Sequence, residues 1–225
     1  MLNSGISVLF DGMNMQRLLV GLWVTVRIAI VSIAIGCVLG IFIGVIRTSK
    51  SKILAFILRI YLELFRIIPI LVWLFIFYFV LPADFNINLD AEVVSIIVFS
   101  LWGAAEMSDI VRGSIISLPK HQLESGKALG LSTFQLYWYV LIPQAIKRTI
   151  PGAINLATRM VKTTALLVMI GVIEVIKVGQ QIIELANFKN PTASFWVYGF
   201  IFFMYFIICY PLSKLSQKLE RKWTS

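Results

Sequence analysis

The sequence predicts an all-α integral membrane fold of about five transmembrane helices. Three observations predict it: the ratio of apolar to charged residues, apolar runs long enough to cross a bilayer, and cations gathered at the ends of those runs. Of 225 residues, 59% are hydrophobic and 14% charged, whereas soluble domains carry about 25% charged side chains. So few polar side chains do not coat a water-facing globule, and lipid has to act as solvent for much of the surface. Runs of about 20 apolar residues suffice to cross the hydrocarbon core as helices, and the length fits one domain, so residues 1–225 read as a single transmembrane domain. The formal charge of +9 raises nucleic acid as a partner. Its cations follow the ends of apolar segments rather than forming one aromatic-interleaved patch, which argues against that class. Cys37 and Cys209 lie within apolar runs, where a thiol acts as a small hydrophobe and no bridge is required.

The spans are drawn, in order, from Arg17 to Ile46, Ile53 to Leu81, Ala91 to Ile115, Ile150 to Ile173 and Phe195 to Leu215. The first lacks the short apolar core and small-residue cleavage site of a signal peptide and is expected to be retained. Arg47, Lys50 and Lys52 follow it, Arg112 stands at the end of the third with Lys120, Lys127, Lys147 and Arg148 beyond it, and Lys214 at the end of the fifth leads to Lys218, Arg221 and Lys222 in the C-terminal tail. The turn from Pro82 to Asp90 has no Lys or Arg. Lys and Arg are retained on the cytoplasmic side, so the N-terminus is expected outside and the C-terminus inside, which an odd number of spans satisfies.

Between the third and fourth spans runs a polar stretch, Pro119-Lys120-His121-Gln122-Leu123-Glu124-Ser125-Gly126-Lys127-Ala128-Leu129-Gly130, ending at Val140-Leu141-Ile142-Pro143. Pro119 suits the first turn of a helix, where its missing N–H has no intrahelical partner anyway. Leu123, Leu129 and Leu131 are expected to face protein, and Lys120 and Lys127 water. The stretch resembles the EAA loop of bacterial ATP-binding-cassette (ABC) importer permeases: Glu124-Ser125-Gly126 stand for the acidic and two small residues, Gly130 for the following glycine, and Pro143 for the closing proline. The resemblance implies that residues 117–143 form a cytoplasmic coupling loop whose short helix seats in a groove of a separate ATPase subunit. The bland alternative is an ordinary amphipathic surface loop. The sequence has no Gly-x-x-x-x-Gly-Lys-Ser/Thr phosphate loop, so ATP hydrolysis falls to another polypeptide.

A second set of residues narrows the resemblance. Tyr61-Leu62-Glu63-Leu64-Phe65-Arg66-Ile67-Ile68-Pro69-Ile70-Leu71-Val72-Trp73-Leu74-Phe75, then Arg112-Gly113-Ser114-Ile115, Ile142-Pro143-Gln144-Ala145, Asn155 and Lys162-Thr163-Thr164-Ala165-Leu166 are similar, in order, to elements of the polar amino-acid uptake permeases. The departures are Ile67-Ile68 for Gly-Thr, Trp73 for Gln, Thr163 for Asp, and Arg159 as an added cation. The resemblance implies the type I ABC importer permease fold and a pathway built with a second permease subunit, identical or homologous. It also implies two cytoplasmic ATPase subunits, an extracytoplasmic solute-binding protein and the bacterial cytoplasmic membrane. This chain would need no cofactor of its own, ATP and magnesium being bound by the ATPase.

Charges inside apolar segments demand a physical reason. Placing one at mid-bilayer costs at least about 2.5–3.5 kcal/mol, so such residues face protein, water or a permeant solute. Glu63 lies about 16 Å of helical rise beyond Lys52, roughly half the hydrocarbon thickness, and Lys162 a similar rise beyond Pro151. Arg66 shares the helix face of Glu63, and Arg159 that of Lys162. A zwitterionic amino acid needs an anion for its ammonium, which Glu63 can supply, and a cation for its carboxylate, which Lys162 or Arg159 can supply. The expected substrate pathway is therefore Glu63, Arg66, Asn155, Arg159, Lys162, Thr163 and Thr164. The alternative is that Glu63 and Arg66 pair within their own helix, and Asp109 and Arg112 are expected to pair near the cytoplasmic end. His121 has no second His and reads as solvated, not as a metal ligand. Gly36, Gly40 and Gly44 give the small-xxx-small spacing of tight helix contacts in membranes, while Pro151, Gly152 and Gly171 border the fourth span and permit a bend.

The expected function is import of a small polar amino acid, not catalysis. The alternatives are another zwitterion, methionine or an osmolyte, carried by the same machinery. A different class, an ion-coupled secondary transporter, predicts transport without an ATPase and gives no reason for an EAA-like loop.

Overall fold

The computed structural model describes residues 5–48, 51–186 and 190–224, and their regular structure is helical. After a short 3-10 turn at Gly5–Leu9 come α1 (Asn14–Ile46), α2 (Lys52–Ile67), α3 (Ile70–Phe75), α4 (Leu81–Phe85), α5 (Ala91–Ile116), α6 (Lys120–Ala128), α7 (Thr133–Gln135), α8 (Ile142–Thr163), α9 (Val175–Ala186) and α10 (Ala193–Thr224). By length and composition, four helical stretches can cross a membrane: α1, α5, the continuous run Thr133–Ile170, and α10. The two pieces on either side of Ile68 and Pro69 make a fifth if they count as one broken span.

Prolines account for most departures from the expected spans. Pro69 disfavours the helical conformation at Ile68, which adopts φ −74°, ψ 129° and ends α2. The second span is therefore interrupted where a single helix was expected, and its helical part runs on to Phe85, where Asn86 caps it in the left-handed conformation. Two π-helical turns, Ile76–Val80 and Leu136–Leu141, each end two residues before a proline, Pro82 and Pro143. Proline removes a helical donor and its ring crowds the preceding turn. In both places the wider register takes up the strain, with Leu81 N–H bonded to Ile76 C=O and Ile142 N–H to Tyr137 C=O.

The fourth span was expected from Ile150; the structure starts its helix at Thr133. A capping box at Ser132, whose side chain accepts from Gln135 N–H while the Gln135 side chain bonds back to Ser132 N–H, launches it. The helix passes through Pro151 and Gly152 without a break. It tightens to 3-10 over Thr164–Ile170 and stops at Gly171, whose φ of +84° only glycine adopts without strain.

The chain divides into two compact units. One contains Met1–Ser32, Ile70–Phe99 and Thr158–Pro211. Its core packs Leu18 of α1 with Val175, Val178 and Ile182 of α9 and Val197 and Ile201 of α10, and Gly179 lets Ile201 approach so closely that a Cβ there would lie 2.4 Å from its Cδ1. The other unit contains Ile33–Pro69, Ser100–Ala157 and Leu212–Ser225. There the glycine ladder of α1 meets α5 as expected: a Cβ on Gly40 would stand 2.5 Å from Met107 Cβ and 2.9 Å from Ala104 O, and one on Gly44 2.7 Å from Val111 Cβ. Helices in lipid gain stability from such close backbone approach rather than from hydrophobic burial. Ser216 Oγ donates to Pro151 O at 2.8 Å, tying α10 to α8 in this unit.

Candidate functional site

The segment that resembles the EAA loop is tied to the following helix by its backbone turn and by side-chain hydrogen bonds. Pro119, in extended conformation (φ −63°, ψ 131°), is the N-cap of α6 and not part of its first turn as expected. After the helix, Gly130 turns the chain at φ +79°, and Leu131 N–H closes back on Gly126 O at 3.1 Å. Gly126 is buried, and a Cβ there would meet Leu136 Cδ1 at 2.4 Å, which explains why this position needs a small residue. Gln144 of α8 holds Gln122 of α6 at 2.7 Å, and Arg148 holds the carbonyl and hydroxyl of Ser117 at 2.7 and 2.8 Å. Glu124, Ser125 and Lys127 are exposed. Leu129, expected to face protein, is 82% exposed: the glycine turn that follows leaves it on the outer side, and Gly126 takes the inner position. The side chains of Lys120 and Leu123 lie outside the described residues. Pro143 sits in the helix of the fourth span rather than ending a loop.

The second feature is an ionic basin in the same unit, lined by Arg47 of the α1 C-terminal end, Ala55, Arg59, Leu62, Glu63, Arg66 and Ile67 of α2 or its edge, and Glu106 and Arg112 of α5, around a cavity of about 650 Å³. Tyr61 Oη donates to Leu101 O at 2.6 Å and fixes α2 to α5. Glu63 is bonded to Arg59 one turn back at 2.7 Å, not to Arg66. Arg66 instead reaches Glu106 at 3.3 Å and Asp109. Asp109 also accepts from Arg47 at 2.5 Å, while the Arg47 guanidinium donates to Ser108 Oγ at 3.1 Å. The pairing expected between Asp109 and Arg112 therefore does not form, because Asp109 is engaged by cations from two other helices. The Glu63–Arg66 pairing within α2 is absent because Arg59 of the same helix takes Glu63 while Glu106 and Asp109 of α5 take Arg66. Arg112 makes no ion pair or hydrogen bond among the described residues. Glu106, which sequence reasoning passed over, carried a usable signal as a carboxylate inside an apolar helix.

The third feature is a polar face on the long helix of the fourth span. Asn155, Arg159 and Lys162 recur at steps of four and three, so they share one face, and all three are exposed. Asn155 and Lys162 make no hydrogen bond or ion pair among the described residues. Thr163 and Thr164 turn their hydroxyls back to Arg159 O and Val161 O at 2.8 and 2.7 Å, so in this chain they satisfy the helix backbone rather than extending the face. Glu63 belongs to the other unit from Arg159, Lys162, Thr163 and Thr164.

A carboxylate missed by sequence reasoning is Glu174, which is fully buried. It precedes α9 and accepts from the amides of Ile176 and Lys177, both at 3.0 Å, and from Thr25 Oγ1 of α1 at 3.3 Å. Burial raises its pKa to about 6, and those three donors hold it back from rising further. Its legible signal was an acidic residue directly before a helix start and three positions after a turn glycine.

Residues 36–225 match the family described as binding-protein-dependent transport system inner membrane component. The chain is 33% identical over 202 residues, covering 90% of its length and 84% of the relative's, to the L-cystine transport system permease protein TcyB of Bacillus subtilis (strain 168). It is 32% identical over 206 residues, covering 91% and 92%, to the glutamine transport system permease protein GlnP of Escherichia coli (strain K12). In three dimensions it resembles a crystal structure of an amino acid ABC transporter with histidines, at a TM-score of 0.83 and 27% identity over 92% of this chain and 94% of that one. Inward-facing MetNI, the methionine ABC transporter, shares the fold at a TM-score of 0.68 and 20% identity, covering 94% and 98%. The chain belongs to the binding-protein-dependent transport inner membrane family: it is a multi-pass permease subunit of ABC importers, a transport component without catalytic activity of its own.

Proposed function

We propose that this permease carries a small polar amino acid inward, together with a second permease subunit, two cytoplasmic ATPases and an extracytoplasmic binding protein. The observation that carries the reading is the exposed polar face of α8. Asn155 and Lys162 stand outward on an apolar span, and a cation facing lipid there would cost at least about 2.5–3.5 kcal/mol. That face needs an aqueous route or a second subunit against it, and a route between two permease subunits supplies both. Lys162 and Arg159 then meet the solute carboxylate, and Asn155 its polar groups, while Thr163 and Thr164 hold the helix backbone behind them. Glu63 and Arg66 are drawn from the route by their own ion pairs, so the solute ammonium is met by the partner subunit or by a Glu63 released from Arg59.

The named relatives support an amino acid as the solute, and the methionine transporter, similar in fold alone, gives no support to methionine over the others. The cations around α6 support a cytoplasmic coupling segment, with the N-terminus outside and the C-terminus inside. Glu124, Ser125, Lys127 and Leu129 offer the docking surface to the ATPase, which binds ATP and magnesium. Residues 1–225 act as one permease domain with 117–143 as its coupling loop, and closure of the ATPase dimer shifts the permease between inward- and outward-facing states. The test is uptake of labelled glutamine and cystine into proteoliposomes holding the permease with its second subunit, its ATPase and its binding protein. Uptake is expected only with all three and with ATP inside the compartment that holds the ATPase. Uptake sustained by an ion gradient without the ATPase would overturn the reading in favour of a secondary transporter.

A further inference from the structure

We propose that the arginine-lined cavity beside α2 binds the phosphate of an anionic phospholipid. Four guanidinium groups, on Arg47, Arg59, Arg66 and Arg112, meet three carboxylates, on Glu63, Glu106 and Asp109. The three carboxylates are taken up by Arg47, Arg59 and Arg66, and Arg112 is left over, exposed and without an ion pair among the described residues. The basin thus holds an excess of positive charge in a cavity of about 650 Å³, ample for a phosphate and its glycerol. Guanidinium forks match phosphate oxygens in pairs.

The shape of α2 selects an amphiphile over a free anion. Lys52, Arg59 and Arg66 recur every seven residues on one side. The strip beside it carries Ile53, Phe56, Ile57, Ile60, Leu64 and Ile67, every one of them exposed, and Leu62 and Phe65 are buried behind. A helix with one cationic and one bare apolar face lies at a lipid boundary, and basic pockets between helices on the cation-rich side of a membrane protein are suited to anionic head groups. Acyl chains lying along the isoleucine face would bring a phosphate to the mouth of the cavity on the same helix. A soluble phosphate would gain nothing from that face.

The purified permease complex in detergent, incubated with phosphatidylglycerol or phosphatidylcholine and re-isolated, gives the lipid phosphorus retained per permease. The wild-type complex is expected to retain phosphatidylglycerol at least fivefold over phosphatidylcholine. Arg112→Gln, a change at an exposed side chain with no partner to strand, is expected to remove most of that preference, whereas Lys218→Gln, an exposed cation elsewhere, retains it. Equal retention by Arg112→Gln and wild type overturns the site. Displacement of the lipid by millimolar inorganic phosphate, with phosphate itself bound, overturns the lipid as its source. Loss of preference in both variants alike reduces the effect to bulk charge and also overturns it.

Discussion

On α2 and α5, Glu63, Arg66, Glu106 and Asp109 all find ionic partners within the chain, while on α8 Asn155 and Lys162 stand outward with none among the described residues. Both groups sit in apolar helices, and Glu63 and Arg66 of the first were expected on the substrate pathway just as Asn155 and Lys162 of the second were. The difference lies in what remains to be satisfied. A charge already compensated by a neighbouring helix organises the fold, and its removal strands a partner. A charge left exposed in a span demands something from outside the chain, which a partner subunit, water or a solute provides. The basin is therefore read as architecture with one spare cation, and the α8 face as the transport surface.

The largest effect is expected where the basin is held in place. α1 reaches Asp109 with Arg47 only because Gly40 and Gly44 let it lie against α5. Gly40→Leu drives a side chain into Met107 Cβ and Ala104 O. Overpacking of this kind costs about 1–3 kcal/mol and occasionally more, so the variant is expected to disappear from the folded membrane fraction or to melt well below wild type. Gly113→Ala, where a Cβ meets nothing within 4 Å, is the matched change that should leave the melt unaltered. Equal behaviour of the two would break the claim that close α1–α5 packing supports the basin.

A smaller effect sharpens the contrast by adding a third way of keeping a charge, through backbone donors. The pKa of Glu174 is raised from 4.5 to about 6 by burial, so the folded protein holds that proton more tightly than the unfolded chain. Its contribution is fully present below about pH 4.5 and is lost as pH rises through about 6. The total is on the order of 1–2 kcal/mol. Glu174→Gln keeps an oxygen for the α9 amides and removes the ionisation. The wild-type melting midpoint is expected to fall between pH 5 and pH 7 relative to the variant, and parallel curves would contradict the assignment.

Much of this was legible in the sequence, and the limits have physical causes. Composition and run length gave the helical membrane fold, and the spacing of Gly36, Gly40 and Gly44 gave a contact that the structure makes. The polar stretch around Glu124-Ser125-Gly126 was legible as a short helix, which the structure forms over Lys120–Ala128, although the start of the next helix at Ser132 was missed, because Pro143 reads as a helix end when the π turn that accommodates it is not visible. The break at Ile68 carried its signal in Pro69, yet an unbroken apolar run outweighed it. Ion pairs were the least legible. Partners four residues apart, such as Arg59 and Glu63, are open to a helical reading, but Arg47 with Asp109 and Arg66 with Glu106 depend on which helices adjoin. Glu174 was hidden for the same reason, since its burial comes from α1 packing over the start of α9.

The account turns on which charge serves the solute, and one paired measurement decides it. Lys162→Gln and Glu63→Gln are reconstituted with the ATPase and binding protein, and uptake is compared at equal assembly and equal basal ATP hydrolysis. Lys162→Gln would leave a desolvated solute carboxylate without its cation, at about 1–3 kcal/mol or more, and is expected to lower uptake at least about tenfold. Glu63 and Arg59 form an exposed pair within one helix, a kind that contributes little, so Glu63→Gln is expected to change uptake less than about threefold. Full uptake by Lys162→Gln, with loss in Glu63→Gln, would contradict the assignment of the α8 face and move the route to the basin.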